Sequence, residues 1–299
     1  MTNLINELNN NSISYKIDEP MSLHTTFKTG GNAAVFIDIS DMDTLVKSLE
    51  ICSRTGTDVF ILGKGSNLLV SDDGIRDKAV IHISTDFSDM KLIDDTTIEV
   101  QSGASLASLC KFALANSLTG LEFAYGIPGS VGGAAYMNAG AYGGEMKDVA
   151  VKVKHIDRKG NIGCYCGDEL DFSYRHSAYS NSDLIITSVV VKLSKGDKAE
   201  IEAKMNDVMG RRVDKQPLEY PSAGSVFKRP EGYFAGALIE QSGLKGKRIG
   251  GAMVSEKHAG FIINYENATT TDVINLIKHC QKTVFDKFGV ELNTEIKFV

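Results

Sequence analysis

Two glycine clusters carry the densest chemical signal in the sequence. The first, Gly63-Lys64-Gly65-Ser66-Asn67-Leu68, offers successive backbone N–H groups that no side chain shields. Ser66 and Asn67 add further donors, a combination suited to a pyrophosphate. Leu68 stands where the common dinucleotide fingerprint needs its third glycine, a strand rather than a helix follows, and the spacing matches no Walker loop. Taken alone, the loop reads equally well as a plain hairpin turn. The second cluster, Gly126-Ile127-Pro128-Gly129-Ser130-Val131-Gly132-Gly133, is followed by Asn138-Ala139-Gly140 and Gly143-Gly144. Backbone there can approach a flat or phosphorylated ligand closely. Two such loops in one lobe favour a dinucleotide cofactor over coincidence.

The remaining candidates are weaker one by one. Arg175, in Tyr174-Arg175-His176, is either an anion fork or a solvated arginine. The segment from Lys215 to Pro230 carries three prolines around Ser225, which predicts a rigid loop holding one hydroxyl in place. Without a neighbouring histidine or a Gly-x-Ser-x-Gly elbow, Ser225 does not read as an acyl nucleophile. Glu295 alone reads as a surface carboxylate. Lys245, Lys247 and Arg248 could grip phosphates or solvate a loop, and His258 could meet a ligand or pack. The six histidines are dispersed without metal-binding spacing, so no catalytic metal is expected. Five cysteines without a CxxC predict reduced thiols, mostly in the core.

These residues need elements to position them. Ser40 starts a helix with capping-box spacing, and Leu45, Val46, Leu49 and Cys52 follow at helical period up to Gly56. Strands are predicted at 59–62, 68–70, 79–83 and 97–101, with the first glycine loop joining two of them. A helix at 106–114 precedes the second cluster. A β-rich lobe then runs through 151–156 and 184–193. Beyond a break near residue 195, Ile201, Met205, Val208 and Arg212 form one helical stripe. The last helix begins near 269–271 and stops at Gly289. In the terminal segment, alternation places Leu292, Ile296 and Phe298 on one face and Glu295 on the other. At 299 residues, 42% hydrophobic and 23% charged, the chain has the composition of an ordinary folded protein, which excludes a disordered or fibrous one. Its apolar runs are too short for a bilayer, and no secretory signal opens it, so the expected location is the cytoplasm. A net charge of −6 without charge blocks gives no footprint for nucleic acid or an anionic membrane, and nothing indicates a protein partner.

Thr26-Phe-Lys-Thr-Gly-Gly31, Ile61-Leu-Gly-Lys-Gly-Ser-Asn67, Gly126 to Gly133, Met137-Asn-Ala-Gly-Ala-Tyr142, Tyr174-Arg-His-Ser177, Ala223-Gly-Ser225 and Glu295 occur in that order. Together they resemble the UDP-N-acetylenolpyruvoylglucosamine reductases over essentially the whole chain. The short stretch between Arg175 and Lys215 resembles the form lacking a substrate-capping tyrosine loop. The resemblance implies an α+β architecture: a two-subdomain FAD-binding fold of the vanillyl-alcohol-oxidase type and a smaller α+β substrate-binding domain. The implied boundaries are 1–85, joined by the terminal strand 290–299, then 86–194, then 195–289.

It also implies an NADPH-driven reduction of an enolpyruvyl ether to a lactyl ether on a UDP-sugar, with non-covalent FAD, in peptidoglycan precursor synthesis. Arg175, Ser225 and Glu295 would be catalytic, with Arg175 and Glu295 stabilising charge at the substrate carboxylate and Ser225 donating a proton. Gly63, Lys64, Gly65, Ser66, Asn67, Leu68, Gly126, Ile127, Pro128, Gly129, Ser130, Gly132, Gly133 and Asn138 would hold FAD. Tyr174, Lys215, Arg229, Lys245 and His258 would meet the UDP-sugar, although some members carry asparagine where Arg229 stands. An FAD-linked oxidase of the same fold and a non-catalytic flavin or nucleotide-binding module are the alternatives.

Overall fold

Most helix starts follow side chains able to cap them, the helices beginning at Thr2 and Ala235 being the exceptions. In the computed structural model, which describes residues 1–299, the helices are α1 (Thr2–Asn10), α2 (Met42–Arg54), α3 (Leu106–Ala115), α4 (Val131–Tyr136), α5 (Lys198–Lys215), α6 (Ala235–Gln241) and α7 (Thr270–Phe288). Ser105 caps α3 by accepting from the Ser108 N–H. Thr269 and Asp272 form a reciprocal box at α7, and Gly289 ends that helix in the left-handed region at φ 67°. At α2 the cap is Asp41 rather than Ser40. Asp41 Oδ1 accepts from the Thr44 N–H at 2.8 Å, and the Ser40 hydroxyl donates to the other carboxylate oxygen. A carboxylate in this place also suits the positive end of the helix dipole.

The first seven strands are β1 (Lys16–Pro20), β2 (Asn32–Ile39), β3 (Asp58–Leu62), β4 (Leu68–Leu69), β5 (Ile75–Ile83), β6 (Met90–Leu92) and β7 (Thr97–Gln101). The chain divides into two compact units, the first comprising residues 1–16, 35–64 and 77–212, the second 17–34, 65–76 and 213–299.

The first unit holds two hydrophobic cores. One gathers Leu4, Leu8, Val35, Ile37, Leu45, Leu49 and Ile81 from α1, α2, β2 and β5, where β3 runs parallel to β5 with Leu62 opposite His82. The other lies under an antiparallel five-stranded sheet ordered 162–166, 150–156, 185–192, β7, β6. There α5 buries Ile201, Met205, Val208 and Arg212, the stripe its period predicts. The strand Ile162–Cys166 escapes a reading by hydrophobic pattern because it is an edge strand whose residues alternate between exposed and half-exposed. The second glycine cluster is not wholly irregular either, since α4 begins within it.

The second unit packs α6, α7 and a three-stranded sheet around Val226, Phe227, Leu238, Val254, Ile262, Val273, Leu276 and Ile296. Its terminal strand, Lys297–Phe298, lies parallel to β4 with Lys297 opposite Leu68. Leu292 and Ile296 are buried as their spacing predicts, but Phe298 is 48% exposed. Only the last pair is strand, and an isolated bridge between Phe227 and Thr294 carries the preceding chain, so strict alternation does not persist to the end.

Candidate active site

The first glycine loop is held open by close backbone approaches. Gly65 sits at φ 59°, and a Cβ there would come within 2.1 Å of the His24 carbonyl oxygen, so any side chain would force the loop apart. Its own carbonyl accepts from the Thr26 N–H at 3.2 Å. Gly63 lies so near Ser130 that a Cβ would meet Ser130 Oγ at 2.7 Å, bringing the first loop against the second. Ser130 caps α4, its hydroxyl accepting from the Gly133 N–H at 3.2 Å. The N–H groups of Val131 and Gly132 are tied to the carbonyls of Ala104 and Ser102. Gly126 packs on Arg212, whose Cδ would be 2.8 Å from an added Cβ. Ile127 rests on the core beneath, and Lys64 and Pro128 are exposed.

Arg175 stands at the tip of a two-residue turn. Ser173 and His176 exchange backbone hydrogen bonds at 3.2 and 3.1 Å, and Arg175 itself adopts φ 57°, a conformation costly for a residue with a Cβ. Its guanidinium donates to the Gly140 carbonyl at 3.4 Å and lies 5.2 Å from the centre of the half-exposed Tyr174 ring. Asn138 underpins this turn. It is fully enclosed at φ 45°, donates to the Ser173 carbonyl at 3.0 Å and to Glu145 Oε2 at 2.8 Å, and accepts from the Lys147 N–H at 2.9 Å. Its amide is therefore fully engaged by protein. Burial opposes ionisation of Glu145, but hydrogen bonds from Lys147 and Asn138 and the nearby charges of Lys147 and Arg175 outweigh it and hold the carboxyl below its usual range.

Ser225 and Glu295, distant in sequence, meet in the second unit. The Glu295 N–H donates to the carbonyl of Val226, the residue after Ser225, at 2.8 Å. The Glu295 carbonyl accepts from Asn67 Nδ2 at 3.2 Å, and the Asn67 carbonyl accepts from the Lys297 N–H. One side chain of the first glycine loop thus fixes the backbone that presents Glu295. The Ser225 hydroxyl makes a long bond of 3.4 Å to the Phe227 carbonyl, and Ser225 bridges to Phe261. A Cβ on Gly260 would lie 3.5 Å from Ser225 Oγ and 3.1 Å from His258 Nδ1, so serine and imidazole flank the same glycine. His258 Nδ1 accepts from the Gly260 N–H at 3.1 Å, which leaves the proton of the neutral ring on Nε2. Burial, helped by Lys245, holds His258 below its ordinary value and the ring neutral. Lys215 ends α5 and is exposed. Lys245 pairs with Glu240 at 2.7 Å, and Arg229 stacks on Phe234 at 4.0 Å.

Residues 33–163 match the FAD binding domain family, and residues 216–299 match the UDP-N-acetylenolpyruvoylglucosamine reductase C-terminal domain. The reductase of Caldanaerobacter subterraneus subsp. tengcongensis is 50% identical over 283 residues, covering 95% of this chain and 93% of its own. That of Clostridium perfringens is 47% identical over 285 residues, covering 95% and 92%. The chain belongs to the UDP-N-acetylenolpyruvoylglucosamine reductase family. The crystal structure of the reductase from Thermus caldophilus superposes with a TM-score of 0.79 at 35% identity over 96% of this chain and 98% of that one. Berberine bridge enzyme from Eschscholzia californica, at 15% identity and a TM-score of 0.50 over 65% of this chain and 44% of that one, shares the fold alone. These likenesses bear out the flavin-binding fold of the vanillyl-alcohol-oxidase type and the FAD that the resemblance implies.

One residue was passed over by the motif reading. Arg212 is buried on the α5 stripe, where burial pushes its guanidinium below its ordinary value and only the Tyr142 phenol opposes this. A buried cation lacking a carboxylate partner, set against the glycine loop at Gly126, fits an anionic ligand such as FAD. The signal was present in the sequence: a charge at a core-facing position of an apolar helical period. Glu145, which braces Asn138, carried no comparable signal, because its importance lies in a contact across a glycine turn.

Proposed function

We propose that this chain reduces the enolpyruvyl ether of UDP-N-acetylglucosamine enolpyruvate to the lactyl ether of UDP-N-acetylmuramate, in peptidoglycan precursor synthesis, with FAD as resident cofactor and NADPH as reductant. The observation that carries the reading is the hydrogen bond joining Glu295 to Val226 beside Ser225, which assembles a hydroxyl and a carboxylate from distant parts of a reductase-family chain. FAD, when bound, supplies the two-electron relay by which hydride from NADPH reaches the double bond.

Reduction of that bond puts negative charge onto the substrate carboxylate, and this charge is the barrier that the residues must lower. Arg175 stabilises it with a fixed guanidinium, and its left-handed turn, braced by Asn138, sets the direction. Ser225 donates its proton to the carbon bearing the carboxylate. Its own hydrogen bond is long, so little is lost when the proton leaves. Glu295 acts as the second stabiliser, carrying or sharing a proton beside the substrate anion.

Gly63 to Leu68 and Gly126 to Gly133 line FAD, the N–H groups of Val131, Gly132 and Gly133 being already bonded to the protein itself, with Arg212 as the charged partner. Asn138, fully engaged by protein, serves the turn rather than the cofactor. His258 offers its Nε2–H to the UDP-sugar, joined by Tyr174, Lys215, Arg229 and Lys245. Three hydrophobic cores favour three bodies centred on 1–85, 86–194 and 195–289, with Ile201 and Met205 of α5 packing into the second core and Leu292 and Ile296 into the third. No helix is long and apolar enough to cross a membrane, in keeping with cytoplasmic work on a small-molecule substrate.

An anaerobic visible spectrum tests the reading. A flavin band that bleaches with NADPH and returns only on adding the enolpyruvyl UDP-sugar is the expected result. A colourless protein that cannot be reconstituted with FAD, or a bleached band that the UDP-sugar leaves unchanged, overturns it.

A further inference from the structure

Cys164 and Cys166 lie outside everything the reductase reading uses. They sit on the strand Ile162–Cys166 at the edge of the five-stranded sheet, and both are exposed, the rarer setting for cysteine. Residues two apart on a strand share a face, so the side chains of Cys164 and Cys166 adjoin on one side of the sheet edge. The register sets Lys154 opposite Cys164 and Lys152 opposite Cys166; the Lys154 ammonium pairs with Glu99, which leaves Lys152 as the cation acting on the Cys166 sulfur. Removal from water and the adjoining Cys164 raise the Cys166 thiol, with Lys152 opposing them. The other cysteines are buried, and burial pushes Cys52 up to about 11 and Cys110 and Cys280 up to about 12. Those three are inert thiols at neutral pH.

We propose that Cys164 and Cys166 form a dithiol site for a soft electrophile able to bond both sulfurs at once, a trivalent arsenical being the chemical type. Strand geometry favours a bridging atom over a direct disulfide. Cα atoms two residues apart on a strand lie about 6.6–6.8 Å from each other, at the outer limit of the span a disulfide accepts. An atom bonded to both sulfurs removes that constraint. Capture of an arsenoxide forms two As–S bonds and breaks the As=O bond. The oxygen leaves as water with both thiol protons, and no oxidation state changes.

The test is native mass spectrometry of the holoenzyme titrated with phenylarsine oxide. One adduct per chain is expected, stable to excess monothiol and removed by a 1,2-dithiol. Apparent affinity should fall by about 100-fold or more in Cys164→Ser and in Cys166→Ser, because the second bond is intramolecular. The flavin spectrum of each variant reports that it is folded. Single variants that keep wild-type affinity, an adduct mapping to Cys52, Cys110 or Cys280, or a Cys164–Cys166 disulfide that forms readily and displaces the arsenical would each overturn the proposal.

Discussion

Replacing Asn138 by alanine isolates the turn that presents Arg175. The amide makes three hydrogen bonds, to Ser173, Glu145 and the Lys147 N–H, each contributing about 1 kcal/mol at a partly buried position. Alanine at φ 45° adds about 1 kcal/mol of backbone strain that asparagine tolerates better. Urea unfolding of the apoprotein should therefore show a loss of about 3–4 kcal/mol. Asn138→Gly, free of that strain, should recover roughly 1 kcal/mol of it. The kinetic consequence is separate. A guanidinium displaced by about an ångström loses most of its value to the transition state, so kcat for UDP-sugar reduction should fall about 10- to 100-fold in both variants. Stopped-flow reduction of the flavin by NADPH, which does not involve the substrate carboxylate, should stay within about twofold. If kcat is unchanged while stability falls, Asn138 is only a fold residue. If both half-reactions slow equally, the turn does not act through Arg175.

Four further outcomes follow from contacts already described or of the same kind. Arg212→Met removes a buried, unpaired charge, so the apoprotein should melt at a higher temperature while FAD affinity, read by fluorescence titration, drops about 10- to 100-fold; unchanged affinity would remove Arg212 from the cofactor site. Ser225→Ala should leave flavin reduction by NADPH intact and abolish its reoxidation by the UDP-sugar, and Glu295→Gln should retain more turnover than Glu295→Ala; equal losses in the two Glu295 variants would show that a hydrogen-bonding group there is not enough. Asp72 accepts from the Thr270 and Thr271 N–H groups at 2.7 and 2.9 Å. Burial opposes its ionisation, but these bonds and the Thr271 hydroxyl hold it below its ordinary value. Asp72→Asn should therefore cost about 1 kcal/mol at neutral pH. The difference from wild type should persist down to the ordinary aspartate value of 3.8 and vanish as pH falls through the lower folded-state value; a difference independent of pH would exclude the charge as its source.

Much of the local structure is legible in the residues themselves. Thr269 with Asp272 and Gly289 delimit α7, and Ile201, Met205, Val208 and Arg212 mark the buried face of α5, because capping and helical period act over a few residues. The glycine loops stand out as candidate ligand loops for the same reason, since an unshielded run of N–H groups is a local property. Assignment of Arg175, Ser225 and Glu295 by resemblance depended on ordered motifs, not on any physical feature of the isolated residues. Pattern failed where solvent or a distant chain decides. The strand Ile162–Cys166 lacks an apolar face because it is an edge, and Phe298 is exposed although its spacing points inward.

Three things are decided only by tertiary structure: the bond from Glu295 to Val226, the brace of Asn138 under the Arg175 turn and the exposure of Cys164 and Cys166. The two thiols are near in sequence, but their exposure depends on which strand ends the sheet. The others join segments whose separation along the chain leaves no periodic trace, and burial, which keeps the His258 ring neutral, belongs to the surrounding atoms and not to the residue.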